Sequence, residues 1–268
     1  MKTLAKYLNK RKEIIDSLLK KPSDTYTATT FHKLRIEIKK LNSSFDLINC
    51  CATNFRRKAT YKPYKIIFRK AGKVRELQIE DAMLKNYFGN KMIKDYRKTL
   101  KTLRLKAEKD FFSLLNKKIM RKLNKKHYSI IPHLREIDNK KIAIYLEKKE
   151  NQIKELLHRE IIQTEQIHQL RKELKVLNYN KAITRKEKHS TQNVLPELLG
   201  KWHDCQVIIK HLKKTLNRRT LDKNEENQLK IIQSKIINKR NILFDEIKKA
   251  IKENDLSRYS VILHPLFI

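Results

Sequence analysis

The strongest constraint on the fold is a pair of segments that occurs twice. Residues 31–42 read FHKLRIEIKKLN and residues 167–178 read IHQLRKELKVLN, with seven of the twelve positions identical. A second pair follows in the same order, AGKVRELQI at 71–79 and LGKWHDCQV at 199–207. Two matched pairs at nearly equal offsets indicate an internal duplication, and this architecture is built from one repeated helical unit.

The chain is also poor in residues that interrupt helices. It has only three Gly and five Pro in 268 residues, and apolar residues recur at helical spacing almost throughout. We therefore predict an all-α fold, as a single domain over 1–268 with a first four-helix repeat over 1–128 and a second over 129–268. The predicted helices span about 3–21, 28–50, 64–88, 90–126, 137–158, 160–180, 193–216 and 223–254.

Three local features define the expected helix ends. Pro63 is predicted to start the third helix, where a missing N–H is harmless. Gly89 is predicted to separate the third helix from the fourth, and the stretch 127–132 to separate the two repeats. The apolar C-terminal segment 260–268 is expected to pack against the body of the protein.

The charge of the chain restricts its partners. There are 64 Lys and Arg against 29 Asp and Glu, a formal net charge of +35. Such an excess repels itself in a compact fold, so it needs a use or a neutralising partner, and the candidates are nucleic acid, an anionic membrane and polyphosphate. No apolar run is long enough to cross a membrane. The N-terminus lacks the apolar block of a secretion signal, and three cysteines, two of them adjacent, do not form a disulfide framework, so we expect a cytoplasmic protein without membrane partners.

A cationic stripe runs along the second predicted helix. At 100° per residue, His32, Arg35 and Lys39 fall within a 60° sector, while Leu34 and Ile38 lie on the opposite, core-facing side. The second repeat has the same arrangement at His168, Arg171 and Lys175. Three cations within two turns repel one another, and an extended anion would relieve that repulsion. Arg offers a planar fork to phosphate oxygens, and Lys offers a mobile point charge.

The duplicated H-x-L-R-x-x-[IL]-K pattern, with its downstream Gly and acid, resembles the CHAD family, the conserved histidine α-helical domain. The resemblance covers nearly the whole chain. It implies two four-helix bundles related by a pseudo-twofold axis, with a basic groove between them that binds inorganic polyphosphate. Carried over by position, it implies the binding residues His32, Lys33, Arg35, Lys39, Lys40, Arg75, His168, Arg171, Lys172 and Lys175. Free phosphate or sulfate ions are expected to fit the same site.

The downstream element departs from the family pattern in the second repeat. The first repeat has Arg75 followed by Glu76, whereas the second has His203 followed by Asp204, so the arginine is lost. We interpret the acid as a group that positions a neighbouring cation or caps a helix end. Gly72 and Gly200 favour either close helix approach or a local break.

Other functions find less support in the sequence. No phosphate-binding loop or catalytic motif is present, so we expect no enzyme activity and no cofactor. His32 and His168 could hold a metal ion together, but their cationic neighbours would repel it, and we expect no metal site. Non-specific nucleic-acid binding is the main alternative, because the charge fits although the stripes carry no aromatic residues on which bases could stack.

Overall fold

The fold is described from a computed structural model, which defines residues 2–88, 93–157, 163–184, 194–217 and 221–253. Within these ranges the chain forms helices and contains no strand, which confirms the predicted all-α class. The α-helices are α1 Lys2–Leu19, α2 Ala28–Cys51, α3 Arg57–Phe88, α4 Lys94–Phe112, α5 Lys117–Tyr128, α6 Ile131–Leu134, α7 Asn139–Leu157, α8 Thr164–Thr184, α9 Val194–Leu216 and α10 Lys223–Glu253.

Short polar side chains start several of these helices. Thr27 caps α2, since its hydroxyl accepts a hydrogen bond from the backbone N–H of Thr30. Asn116 caps α5 in the same way through Ile119. Asp222 accepts the backbone N–H of Glu225 at the start of α10. These caps satisfy N–H groups that lack a partner within the helix, so the helix ends follow directly from the local sequence.

Two predicted boundaries were wrong. Helix α3 begins at Arg57, and Pro63 lies inside it rather than at its start. Burial of Tyr64 and its neighbours in the core offsets the single backbone hydrogen bond that this proline removes. The predicted helix over 90–126 is divided into α4 and α5, because the Asn116 cap starts a new helix.

Other predicted features differ less or lie outside the described residues. Between the two halves, α5 ends at Tyr128 and the four-residue α6 follows. Pro196 lies in the first turn of α9, where its missing N–H removes no helical hydrogen bond. Gly89 and the C-terminal segment 260–268 are outside the described residues.

The two halves of the chain pack together along α2 and α8. Helix α2 also packs against α1, α3 and α7, while α8 also packs against α7, α9 and α1. Helices α3 and α9 meet as well. Each half therefore contacts the central helix of the other half in the same way, because α1 packs against α8 and α7 packs against α2. The duplication and its pseudo-twofold axis remain predictions from the sequence.

Hydrogen bonds fix the contact between α2 and α8. The Ser43 hydroxyl donates to the carbonyl oxygen of Val176 at 3.0 Å, and the Asn180 amide donates to the carbonyl oxygen of Ser43 at 3.2 Å. Ser43 and Asn180 are both buried. Since Lys39 lies one turn before Ser43 and Lys175 directly precedes Val176, these bonds also set the relative position of the two cationic stripes.

A hydrophobic core supports this arrangement. In the first half, Phe31 and Phe111 are fully buried and their ring centroids are 5.1 Å apart. In the second half, Trp202 is the largest buried side chain and lies on α9. No described helix is long and apolar enough to cross a membrane.

Candidate functional site

The five predicted binding residues of α2 fall into two groups, of which only one lies toward the second half of the chain. His32, Arg35 and Lys39 lie on the side that faces α3 and α8, as their electrostatic neighbours show. Lys40 instead forms an ion pair with the buried carboxylate of Glu37 at 2.9 Å. Lys33 is exposed beside α1. The separation follows from helix geometry, because Lys33 and Lys40 are turned about 100° or more away from Arg35.

Arg35 is held in a fixed position by α3. Its guanidinium donates a hydrogen bond to the carbonyl oxygen of Phe68 at 2.8 Å, and its Cζ atom lies 4.1 Å from the centroid of the Phe68 ring. Gly72, one turn further along α3, makes room for this contact. A Cβ atom at Gly72 would lie only 2.1 Å from an Arg35 nitrogen. Gly72 therefore permits the close approach of Arg35, a role that the sequence alone did not distinguish from a local helix break.

The corresponding glycine of the second repeat has a different environment. A Cβ atom at Gly200 would meet nothing within 4 Å. The Nε atom of Arg171 is buried and has no hydrogen-bond partner among the described residues. His168 is the residue that contacts α9, with its ring 4.9 Å from Trp202 and 5.6 Å from His203 between centroids.

Cations from both halves converge where α2 meets α8. The charge of Arg171 repels that of Arg35, and the charges of Lys175 and Arg171 both repel that of Lys39. Arg75 of α3 acts on His32 and Arg35. We call this group the cationic cluster, and its members are His32, Arg35, Lys39, Arg75, Arg171 and Lys175. His168 adjoins it through Arg171, and the exposed Lys172 lies next to His168.

Few negative charges balance the cationic cluster. Asp204 attracts the charges of Arg171, Lys175 and Lys39. Glu76 attracts the charge of Arg35. Both acids are about half exposed, and no described carboxylate forms an ion pair with any member of the cluster. The predicted positioning role fits Asp204, which lies among cations from both halves.

Burial and mutual repulsion change the protonation of the two lysines. Burial, reinforced by Lys175 and Arg35, lowers the pKa of Lys39 to about 7. Burial and Arg171 lower the pKa of Lys175 to about 8. Burial also lowers the pKa of His32, as do Arg75 and Lys39. The charged forms are therefore disfavoured without a ligand, and an anion placed here would restore them.

Comparison with protein families agrees with this arrangement. The model of the CHAD domain matches residues 12–213, about three quarters of the chain. The chain belongs to the CHAD family. This family is known in general for polyphosphate-binding domains. No curated protein matches the sequence significantly.

Solved structures confirm the CHAD fold. The crystal structure of the CHAD domain from the plant Ricinus communis is similar with a TM-score of 0.73 and 11% sequence identity, over 94% of this chain and 90% of that one. PptA from Streptomyces chartreusis is similar with a TM-score of 0.70 and 8% identity, over 94% of this chain and 99% of that one. At such low identity the likeness concerns the fold alone.

The metal-binding alternative receives no support from this CHAD site. The group of possible metal ligands in the described residues consists of Asp95, Asp222 and Glu225, on α4 and α10. The Glu225 carboxylate there already accepts the backbone N–H groups of Asp95 and Tyr96. His32 is surrounded by Arg75, Lys39 and Arg35, whose charges oppose a metal cation.

Sequence reasoning missed the side chains that support the cluster. Phe68 lies under both Arg35 and Lys39, and its ring centroid is 5.7 Å from the Lys39 ammonium. Tyr61 lies close enough to Arg35 to favour its charged form, and Tyr179 does the same for Arg171. A signal for Phe68 exists, because Phe68, Gly72 and Arg75 recur at helical spacing on one face of α3.

Proposed function

We propose that this protein binds inorganic polyphosphate at the cationic cluster and that it acts as a binding protein rather than an enzyme. The observation that carries the proposal is the set of five Lys and Arg side chains with His32, contributed by both halves, that have no ion-pair partner among the described residues. Grouping partly buried cations without partners is unfavourable, and a chain of phosphates would supply the missing charge. The family relationship supports the same ligand class.

The aromatic residues at the site favour polyphosphate over single-stranded nucleic acid. Single strands bind by stacking bases on accessible aromatic rings. Trp202 is only 1% exposed and lies against His168. The Phe68 ring is covered by Arg35 and Lys39. These two rings are therefore not free to stack on a base, whereas the cations beside them are available to phosphates. A cytoplasmic location is part of the proposal.

Competition between polyanions tests this function. Long-chain polyphosphate would compete against duplex DNA, single-stranded RNA and heparin at about 150 mM salt, where weak surface attraction is screened. We expect polyphosphate to displace the other polymers at equal charge concentration. Binding should also weaken steeply with salt, because each neutralised phosphate releases a condensed counterion. If nucleic acid displaces polyphosphate under these conditions, the proposed ligand is wrong.

A further inference from the structure

Helix α5 has an unusual charge for its length. Six of its twelve residues are cationic and none is acidic. All of the cations except Lys126 are exposed. The cationic residues are Lys117, Lys118, Arg121, Lys122, Lys125 and Lys126.

The cations of α5 occupy one continuous side of the helix. At 100° per residue they cover about half of its circumference. The other half contains Ile119, Leu123 and His127, which are buried. The Leu123 carbonyl accepts a hydrogen bond from Tyr64 of α3, and Asn124 accepts one at 2.6 Å from Lys12 of α1. These contacts fix the helix on the body of the protein and turn its cationic side to solvent.

No described acid neutralises the cationic side of α5. None of its six cations forms an ion pair with a described residue. The neighbouring helix α4 is different, because three acids accompany its seven cations. There Arg97 pairs with Asp81 of α3, and Arg104 pairs with Glu108. Helix α5 therefore differs from α4 in carrying its cations without any acid of its own.

We propose that α5 is a second polyanion-binding surface, which a long polyphosphate chain contacts while it also occupies the cationic cluster. This inference rests on the proposed function. A flexible linear polyanion can follow cations spread around half a helix, whereas a flat bilayer would contact fewer of them. A helix that lies on a membrane also inserts its apolar side, and the apolar side of α5 is packed against α3.

The consequence of two surfaces is a preference for long chains. A chain bound at the cationic cluster keeps its free end at a high local concentration near α5, so the second contact adds affinity if the chain can reach it. A short chain such as tripolyphosphate can occupy only one surface at a time. The protein should therefore bind long chains more tightly per molecule, in a way that depends on α5.

Neutralising α5 tests this inference. The variant Lys118→Gln, Arg121→Gln, Lys122→Gln, Lys125→Gln removes four exposed charges. Gln retains helix propensity, and the change relieves like-charge pairs four residues apart, so the helix should remain folded. The matched control changes Lys98, Lys101, Lys106 and Lys109 of α4 to Gln, which removes the same charge from exposed lysines. Thermal unfolding verifies that both variants are folded.

The measurement is the affinity of each protein for tripolyphosphate and for long-chain polyphosphate. We expect the α5 variant to lose at least about tenfold affinity for the long chain and less than about twofold for tripolyphosphate. The slope of log affinity against log salt for the long chain should also decrease in magnitude, by up to about 3 if all four contacts are lost. The α4 control should lose less than about threefold for either ligand.

Other results would overturn the inference and identify its error. Equal losses of affinity in the α5 variant and the α4 control would show that only the diffuse positive charge of the surface attracts the chain. Equal losses for short and long chains would show that α5 has no separate contact. A loss restricted to duplex DNA or to phosphatidylserine vesicles would assign α5 to a different partner. If the unchanged protein binds neither polyphosphate, the proposed function itself fails.

Discussion

The two halves of the protein hold their central arginine differently. In the first half, Arg35 lies across Gly72, donates a hydrogen bond to the Phe68 carbonyl and stacks on the Phe68 ring. In the second half, the space at Gly200 is open, and the residue four positions earlier is Pro196, which has no aromatic ring. The Nε atom of Arg171 has no hydrogen-bond partner among the described residues.

This difference shows how related segments can keep the same cationic residues but change the side chains that support them. The cations recur in both halves, whereas the aromatic ring that supports Arg35 has no counterpart at Pro196. The second half has its own aromatic contact, between His168 and Trp202. Because contacts with α3 already hold Arg35 in place, we expect it to contribute more to anion binding than Arg171, whose Nε atom lacks a hydrogen-bond partner among the described residues.

Substituting one arginine at a time should give the largest difference in polyphosphate affinity between the two halves. Arg35→Ala should weaken polyphosphate binding by about 3 kcal/mol and Arg171→Ala by about 1.5 kcal/mol, the upper and lower ends of the range for charge-assisted hydrogen bonds. Calorimetric titration of each variant measures the difference. A larger loss for Arg171→Ala would contradict the idea that preorganisation favours the first half.

The pH dependence of binding distinguishes the two lysines. Since the pKa of Lys39 is lowered to about 7 and that of Lys175 to about 8, a bound anion should raise both pKa values and draw protons from the buffer. At pH 7 this uptake should be roughly half a proton, mostly at Lys39. Affinity should therefore fall as the pH rises from 7 to 9, by up to about 1.4 kcal/mol per pH unit for each coupled proton.

Titrations in buffers of different ionisation enthalpy measure this proton uptake. Lys39→Arg should abolish most of it at pH 7, because arginine stays charged, whereas Lys175→Arg should reduce it mainly near pH 8. The ligand-free protein should show the opposite trend in stability. An unfolded lysine binds more protons than the folded one above about pH 7, so the free energy of unfolding should rise with pH there. Binding without proton uptake would show that both lysines are already charged.

Substituting the two glycines should change polyphosphate affinity least, but it compares the two halves most directly. Gly72→Ala places a Cβ atom against the Arg35 guanidinium, so Arg35 must move and binding should weaken by about 1 kcal/mol. Gly200→Ala fills open space within α9 and should leave binding unchanged. Because alanine favours helix over glycine, it should also raise the free energy of unfolding by about 0.5–1 kcal/mol. Equal effects of the two substitutions on binding would remove the distinction between the halves.

Much of the fold was predictable from the sequence because its signals are local. Helical periodicity and the scarcity of Gly and Pro predicted the all-α class, and the last four helices were placed within a few residues of their observed bounds. Helix α3 was predicted to start too late, because Pro63 was read as a helix start although tertiary packing tolerates it inside the helix. The Asn116 cap that separates α4 from α5 was overlooked.

The site was predictable only in part, because its geometry depends on contacts between distant helices. The stripe of His32, Arg35 and Lys39 follows from spacing within one helix, as does its counterpart in α8. The contact of Arg35 with Phe68 and the meeting of Lys39 with Lys175 depend on how α2 packs against α3 and α8. The ion pair between Lys40 and Glu37 is different, because these residues are three positions apart within α2, and helical spacing could have predicted it.

The central claim is that cations from both halves form one defined site, and the double variant Arg35→Ala, Arg171→Ala tests it most directly. The control, Lys98→Ala with Lys101→Ala, removes two exposed charges of α4 from the same total of +35. A defined site predicts a loss of polyphosphate affinity of about 4.5 kcal/mol for the arginine variant, if the two single losses add, and a far smaller loss for the control. Equal, small losses in both variants would contradict the claim and leave binding to the general positive charge of the surface.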